Sequence, residues 1–226
     1  MTSNRPPASP TRRAALTALA GSALLLAGCG PRQRHGHGTA NGTANDPAPA
    51  ATATTGGLTV MVIRHGEKPA GGSQGRDDAG RADNSSLTER GWQRAEALPG
   101  LFTPQPAAGL RTPAKIYAAA DSGPHAGAHR MRQTVTPLAR KLGLNVDLGY
   151  AETQESALAR AVAAQRGPVL VCWEHSRIPA FARALAPSAG APAGWPDRFD
   201  LVWVFTRTGG NWSFRQLDQH LLPGDA

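Results

Sequence analysis

The chain has 226 residues with 24 basic and 16 acidic side chains, a formal charge of +8 and two cysteines. Five arginines and one aspartate precede Leu58, so the portion from Leu58 onward holds 19 basic and 15 acidic residues, a net +4. A balance that mild, with no Lys/Arg run interleaved with aromatics, favours small anionic ligands and excludes a nucleic-acid footprint. Cys172 is the one cysteine after Leu58, which excludes a disulfide framework there.

In chain order, the first element is a targeting segment. Arg12 and Arg13 precede an uncharged Ala/Leu-rich run from Ala14 to Gly28, too short for the roughly 20 apolar residues of a spanning helix. A positive flank, a short apolar run and small residues at its exit make a secretion signal. The exit, Leu26-Ala27-Gly28-Cys29, resembles the lipobox of bacterial lipoproteins, which implies export and a membrane anchor of acyl chains on Cys29. The arginine pair resembles a twin-arginine export signal, yet Ala15 and Leu16 follow it in place of a stronger apolar pair, so that route and the general one both stay open. Residues 30–57 are Gly, Thr, Ala, Asn and Pro with little to bury, the composition of a flexible tether. His35 and His37 within it are too few ligands for a metal site.

Residues 58–226 are one domain's worth of chain. Leu58–Ile63 reads as a buried strand, 69–84 as a Gly/Asp/Arg-rich loop, and Thr88–Leu98 as a helix with Trp92, Ala95 and Leu98 at helical spacing. After a loop over 99–113, the pattern predicts a strand at Lys115–Ala119 and a helix over Arg130–Leu142 that Gly143 closes. A strand at Asn145–Leu148, a helix over Thr153–Gln165, a buried strand at Val169–Trp173 and a helix over Pro179–Leu185 follow. Asp200–Thr206 and Trp212–Leu217 flank Gly209-Gly210 as a hairpin. Alternating strands and helices with a terminal hairpin predict a three-layer α/β/α sandwich with a mostly parallel mixed sheet. Trp92, Trp173, Trp203 and Cys172 are read as core residues.

In such sheets ligands gather beyond the carboxyl ends of the strands. Strand one ends in Arg64-His65 and the Val169 strand in Glu174-His175, so two histidines far apart in sequence fall at equivalent places. A single histidine there is ordinary filler. Here Gly66 follows and lets the backbone turn and approach a ligand closely, arginine offers paired donors to phosphoryl oxygens, and a neutral imidazole between cations keeps a free lone pair.

The segment Val62-Ile-Arg-His-Gly-Glu-Lys-Pro69 resembles the signature of the histidine phosphatase superfamily, the phosphoglycerate mutase-like enzymes. Leu87-Thr-Glu-Arg-Gly-Trp-Gln-Arg-Ala95, Arg130-Met-Arg-Gln-Thr134 and Val169-Leu-Val-Cys-Trp-Glu-His175 resemble the family's later elements, in family order. The resemblance implies a phosphoglycerate mutase-like fold and a hydrolase for phosphomonoesters or related phosphoryl compounds. It implies no metal or organic cofactor. His65 would be the nucleophile, forming a phosphohistidine, and Arg64, Arg130 and His175 would hold the phosphoryl oxygens. Arg132 is the rival to Arg130 and faces another side of the same helix.

The sequence departs from the family at Asp121-Ser-Gly-Pro-His-Ala-Gly-Ala-His129, a longer loop whose His125 and His129 are placed at the pocket edge. The general acid is open between Glu152, which is best placed by its position after the third strand, Glu155, and Glu174 beside His175. Glu67 either orients Arg64 or His65 or faces solvent. The 69–84 loop, with Arg76 and Arg81, is expected to line one side of the pocket. The competing functions are a phosphoryl mutase or transferase, which needs cover over the site that the short tail after Leu217 does not offer, and a non-catalytic anion-binding lipoprotein of the same fold.

Overall fold

The computed structural model describes residues 57–226. The signal segment, Cys29, His35, His37 and the tether up to residue 56 lie outside the described residues.

Six strands form one mixed sheet: β1 (Leu58–Arg64), β2 (Lys115–Ala119), β3 (Val146–Tyr150), β4 (Val169–Trp173), β5 (Leu201–Thr208) and β6 (Asn211–Asp218). Their order is β3-β2-β4-β1-β5-β6. The first four run parallel, while β5 is antiparallel to β1 and β6 to β5. The helices are α1 (Glu89–Ala97), α2 (Pro99–Phe102), α3 (Arg130–Leu142), α4 (Glu155–Ala163) and α5 (Ile178–Leu185). The steps β1 to β2 and β2 to β3 move along the sheet in one direction, and β3 to β4 in the other. Right-handed crossovers therefore put α1 and α3 on one face and α4 on the other. The packing agrees: α1 lies on α3, and α4 on α5. This is the α/β architecture expected from the sequence.

The central strands β1 and β4 are buried along their whole length, which is why they read as unbroken apolar runs instead of alternating ones. Cys172, Trp173 and Trp203 are core residues as expected, and each indole has a partner: Trp173 Nε1 donates to Glu152 O and Trp203 Nε1 to Gln216 Oε1. Trp92 departs from its reading. It is half-buried and donates to Arg76 O at 3.0 Å, pinning the 69–84 loop to α1. The buried face of α1 is Gly91, Arg94 and Ala95, so a charged residue occupies the inward stripe. Thr88 caps this helix by accepting from Gly91 N, worth about 1 kcal/mol. Gly143, at φ 66°, closes α3 in the left-handed conformation.

Element ends fall within two residues of those expected, and three departures have a structural consequence. Strand β3 runs on to Tyr150, which pairs with Ala119 past an irregularity in register. Helix α4 begins only at Glu155, because Ala151–Gln154 forms a turn in which Gln154 N donates to Ala151 O. The 99–113 stretch, read as loop, holds the short α2, whose Leu101 and Phe102 are buried. Among the described residues no helix is long and apolar enough to cross a membrane.

Candidate active site

The register pairs Arg64 with Trp173, so β1 and β4 end level, and His65 N donates to Trp173 O at 3.3 Å. His65 and Glu174-His175 thus leave adjacent strands side by side. The two imidazoles stand 6.5 Å apart between centroids, nearly perpendicular.

His65 is fully buried. Its Nδ1 lies 2.7 Å from Gly66 O. A carbonyl only accepts, so Nδ1 carries the proton and Nε2 the lone pair. Nε2 is buried without a partner. Burial, and after it the charges of Arg130 and Arg64, push the His65 pKa down to about 3, so the ring is neutral at neutral pH.

Arg64 is 2% exposed. Its Nη1 donates to Asp197 Oδ1 at 3.2 Å and to Arg198 O at 3.3 Å, and its guanidinium lies 3.8 Å over the Phe199 ring. Its Nε has no partner, and burial lowers its pKa despite Asp197. Arg130, on the first turn of α3, donates Nη1 to Asn84 O at 3.1 Å and leaves its buried Nε unpaired. Burial lowers its pKa too, against the opposing charges of Glu152, Glu174 and Asp83. Arg132 is the contrary case. Its Nε donates to Asp121 and its Nη1 and Nη2 to Asp78 at 3.1 and 2.7 Å, and these carboxylates raise its pKa. Of the two arginines in the first turn of α3, Arg130 is the one with an unpaired donor and with its charge acting on His65.

The three candidate acids have separate surroundings. Glu174 accepts from Ser176 N at 2.8 Å and from Ser176 Oγ, and its Oε1 lies 2.5 Å from His175 Nδ1, in poor alignment for a hydrogen bond. Burial alone would raise the Glu174 pKa, but the Ser176 hydrogen bonds and the neighbouring His175 outweigh it and hold the carboxyl below its ordinary range. The His175 pKa is lowered, by burial first and then by Arg64. The Glu152 carboxylate lies against Gly127, where a Cβ would come within 2.6 Å of Oε1, and its charge acts on Arg130. Glu155 is buried and paired with Arg177 Nε at 3.2 Å. Of the three, it is Glu174 that the fold gathers with His65 and His175, one ligand-type atom from each lying within 4.8 Å of the others.

Such a His/Glu/His cluster is also a set of metal donors. Here two guanidiniums bear on it, and their fields favour an oxyanion over a cation between them.

The four sequence segments meet physically. Gly66 N donates to Thr134 Oγ1 at 2.8 Å, and Thr134 Oγ1 donates to Arg130 O at 2.7 Å. Buried Gln133 accepts from Leu87 N at 3.0 Å and donates to Ser86 Oγ at 2.9 Å. Gly91 permits the close approach of α1 to the loop after His65: a Cβ there would stand 2.6 Å from Glu67 O. Thr134 and Gly91 thus hold the loop after His65, and Gln133 ties α3 to the segment that leads into α1.

Other expectations change. Arg76 and Arg81 bind Gly80 O and Asp77 within their own loop, which meets Arg130 through Asn84 O and Arg132 through Asp78. His125 is exposed, and His129 Nδ1 lies 3.1 Å from Asp121 Oδ2. Glu67 neither orients His65 nor faces open solvent. It accepts from Arg94 Nη2 at 2.8 Å, and Arg94 in turn donates to Asp225 at 2.7 Å. This network was not anticipated from sequence, where nothing links residues 67, 94 and 225.

No protein-family model and no curated protein matches the chain. Several solved structures superpose on it. One is a phosphoserine phosphatase from Entamoeba histolytica, at 15% identity and a TM-score of 0.48, covering 73% of this chain and 100% of that one. Another is the protein histidine phosphatase SixA, at 17% and 0.47, covering 71% and 97%. A third is the alpha-ribazole phosphatase from Shigella flexneri, at 13% and 0.44, covering 74% and 100%. The likeness is one of fold. The chemistry follows from the side chains themselves.

Proposed function

We propose that the protein is a metal-independent phosphatase that hydrolyses phosphomonoesters or related phosphoryl compounds through a phosphohistidine at His65. The observation that carries this reading is the buried, unpartnered Nε2 of a neutral imidazole whose tautomer is fixed by Gly66 O, with two incompletely paired arginines acting on it. Unpaired buried donors are costly unless a ligand completes them, and a phosphoryl group has the oxygens to do so.

His65 Nε2 attacks phosphorus as the bond to the leaving oxygen breaks. Arg64, Arg130 and His175 hold the equatorial oxygens, where charge is spread in the transition state. The leaving oxygen takes a proton from Glu174. That carboxyl is ionised in the empty site, but a bound phosphoryl dianion repels its charge and favours the protonated form. Water then attacks the phosphohistidine, the P–N bond breaks, Glu174 takes the water's proton, and inorganic phosphate leaves with neutral His65 restored. In this scheme Glu152 balances Arg130 and stands one step from the transfer.

The assay is p-nitrophenyl phosphate hydrolysis by the full chain, with a chelator throughout, beside His65→Ala. Chelator-resistant turnover lost in the variant supports the scheme; turnover that persists in the variant sinks it.

We also propose that the protein is exported and held to the extracytoplasmic face of a bacterial membrane by a lipid on Cys29, on the strength of the Leu26-Ala27-Gly28-Cys29 segment and the signal before it. Labelled fatty acid incorporated in cells by the wild type and not by Cys29→Ala is the expected result. Equal labelling of both would refute the anchor.

A further inference from the structure

The two ends of the sheet differ in charge. At the carboxyl ends of the parallel strands the arginines already described stand among carboxylates. At the opposite end the cations gather. Arg207 pairs in register with Leu58 at the start of β1, Arg166 precedes β4, and Arg111 precedes β2, whose approach is tied to β4 by Ala114 N donating to Pro168 O. Arg140 and Lys141 lie in the last turn of α3, which returns to this end to start β3. Arg215 reaches it by donating to Gly109 O. The acids on this side are Asp147, which is paired with Lys115 at 2.8 Å, and Glu96 near the end of α1. Arg111, Arg140, Lys141 and Arg166 are exposed, and no ion pair holds any of them among the described residues.

Two adjoining open cavities give this end a shape. One, of about 410 Å³, is lined by Gly57, Thr59, Arg111 and Arg166; the other, of about 370 Å³, by Thr59, Arg111 and Arg215. Arg111 and Thr59 belong to both. Each is thus a polar recess between two guanidiniums with no carboxylate in its lining. The chain also enters the domain here, since Gly57 lines the first recess and Leu58 opens β1.

We propose that this basic end docks on an anionic lipid surface, with Arg111, Arg166 and Arg215 receiving headgroup phosphates. The seven residues of β1 then hold the candidate active site about 20 Å further out, facing away from the lipid. Unpaired surface cations at the point where the sequence-read tether joins the domain are what an anchored protein needs to settle on its own membrane. A tether alone would leave the orientation free. The inference stands on charge layout and shape and does not depend on the phosphoryl chemistry.

The test is sedimentation of the full chain with vesicles of phosphatidylcholine alone and of equimolar phosphatidylcholine and phosphatidylglycerol. Wild type is run beside the triple variant Arg111→Gln/Arg166→Gln/Arg215→Gln. Residues 1–29 are common to both proteins, so their contribution cancels in the ratio. Each cation near an anionic surface is worth on the order of fivefold in partition, so the triple variant should lose roughly a hundredfold of the preference for anionic vesicles. High salt should remove the preference in the wild type. A triple variant that melts like wild type and keeps the full preference overturns the proposal. So does displacement from vesicles by millimolar inorganic phosphate, which would make the recesses a site for the free ion. Should the triple variant not fold, Arg166→Gln alone decides the matter: the side chain is exposed and unpaired, and its loss should lower the preference on the order of fivefold, while no change refutes the docking.

Discussion

Two arginines of this domain are equally buried, at 2% exposure each, and lie on either side of the same loop. Arg94 spends its donors on Glu67, Asp225 and Gln219. Burial by itself would lower its pKa, but the two carboxylates outweigh it and raise the pKa above normal. Arg64 meets one solvent-exposed carboxylate and a carbonyl, keeps Nε unpaired, and has a lowered pKa. Burial alone does not separate structural from functional charge. Completion does: the saturated guanidinium holds the loop, and the unsaturated one keeps a donor open, which in our proposal an oxyanion fills. The same contrast recurs on α3 between Arg132, bound by two carboxylates, and Arg130, bound by one carbonyl.

The largest effect falls on His65, the proposed nucleophile. Replacing His65 with Ala should cut kcat by roughly 10⁴-fold or more, as loss of a covalent nucleophile does elsewhere. Arg94→Met should leave the chemistry's groups in place and damage the fold. Breaking a buried ion pair by removing one partner costs about 3–5 kcal/mol. Because Arg90 also reaches Glu67 and Asp225, the low end is expected, read from a denaturant melt. If Arg94→Met instead kept stability and lost turnover, the assignment of roles to the two buried arginines would be reversed.

Next in size is the pair on α3. Arg130→Ala should lower kcat/KM by roughly 10²–10³-fold, the cost of one donor to a developing oxyanion. Arg132→Ala should change it by less than about tenfold and act on the order of the 77–84 loop, since a half-exposed pair contributes about 1 kcal/mol or less. Equal losses of turnover in both variants would erase the distinction between saturated and unsaturated cations.

Much of this was legible in sequence, and the reason is locality. The strand ends, the Arg64-His65-Gly66 turn and the Arg130–Thr134 helix start are each set by neighbouring residues, so pattern and spacing reach them. Arg94 was not legible. It sits on the apolar stripe of α1 because Glu67 and Asp225, 27 and 131 residues away, complete it, and periodicity cannot weigh partners that distant. The same limit bears on the acid, which the sequence leaves open between Glu152, Glu155 and Glu174 and which we propose is Glu174. Glu152 follows β3 as expected, but the cluster with both histidines forms around Glu174, because β1 and β4 are neighbours in the sheet while β3 lies at its edge. Trp92 was read inward for its size, and its indole N–H turned it toward Arg76 O at the helix margin.

The smallest prediction sharpens the comparison from the side of the proton. In the unfolded chain the His65 imidazole takes a proton below its ordinary value of 6.5, whereas in the fold burial and two arginine charges delay this to about 3. Between these values the unfolded state binds the extra proton, so this group's share of stability is fully present above pH 6.5 and is lost as pH falls toward 3. The slope from one such site is at most about 1.4 kcal/mol per pH unit. His65→Asn removes the titrating ring from both states, so its stability should fall less steeply than wild type from pH 6.5 to 4, by up to one proton's worth of slope. Equal slopes would mean that His65 protonates in the folded protein as readily as in the unfolded chain. A ring so protonated would carry a proton on Nε2 in place of the lone pair, and the unsaturated side of the comparison would lose its nucleophile.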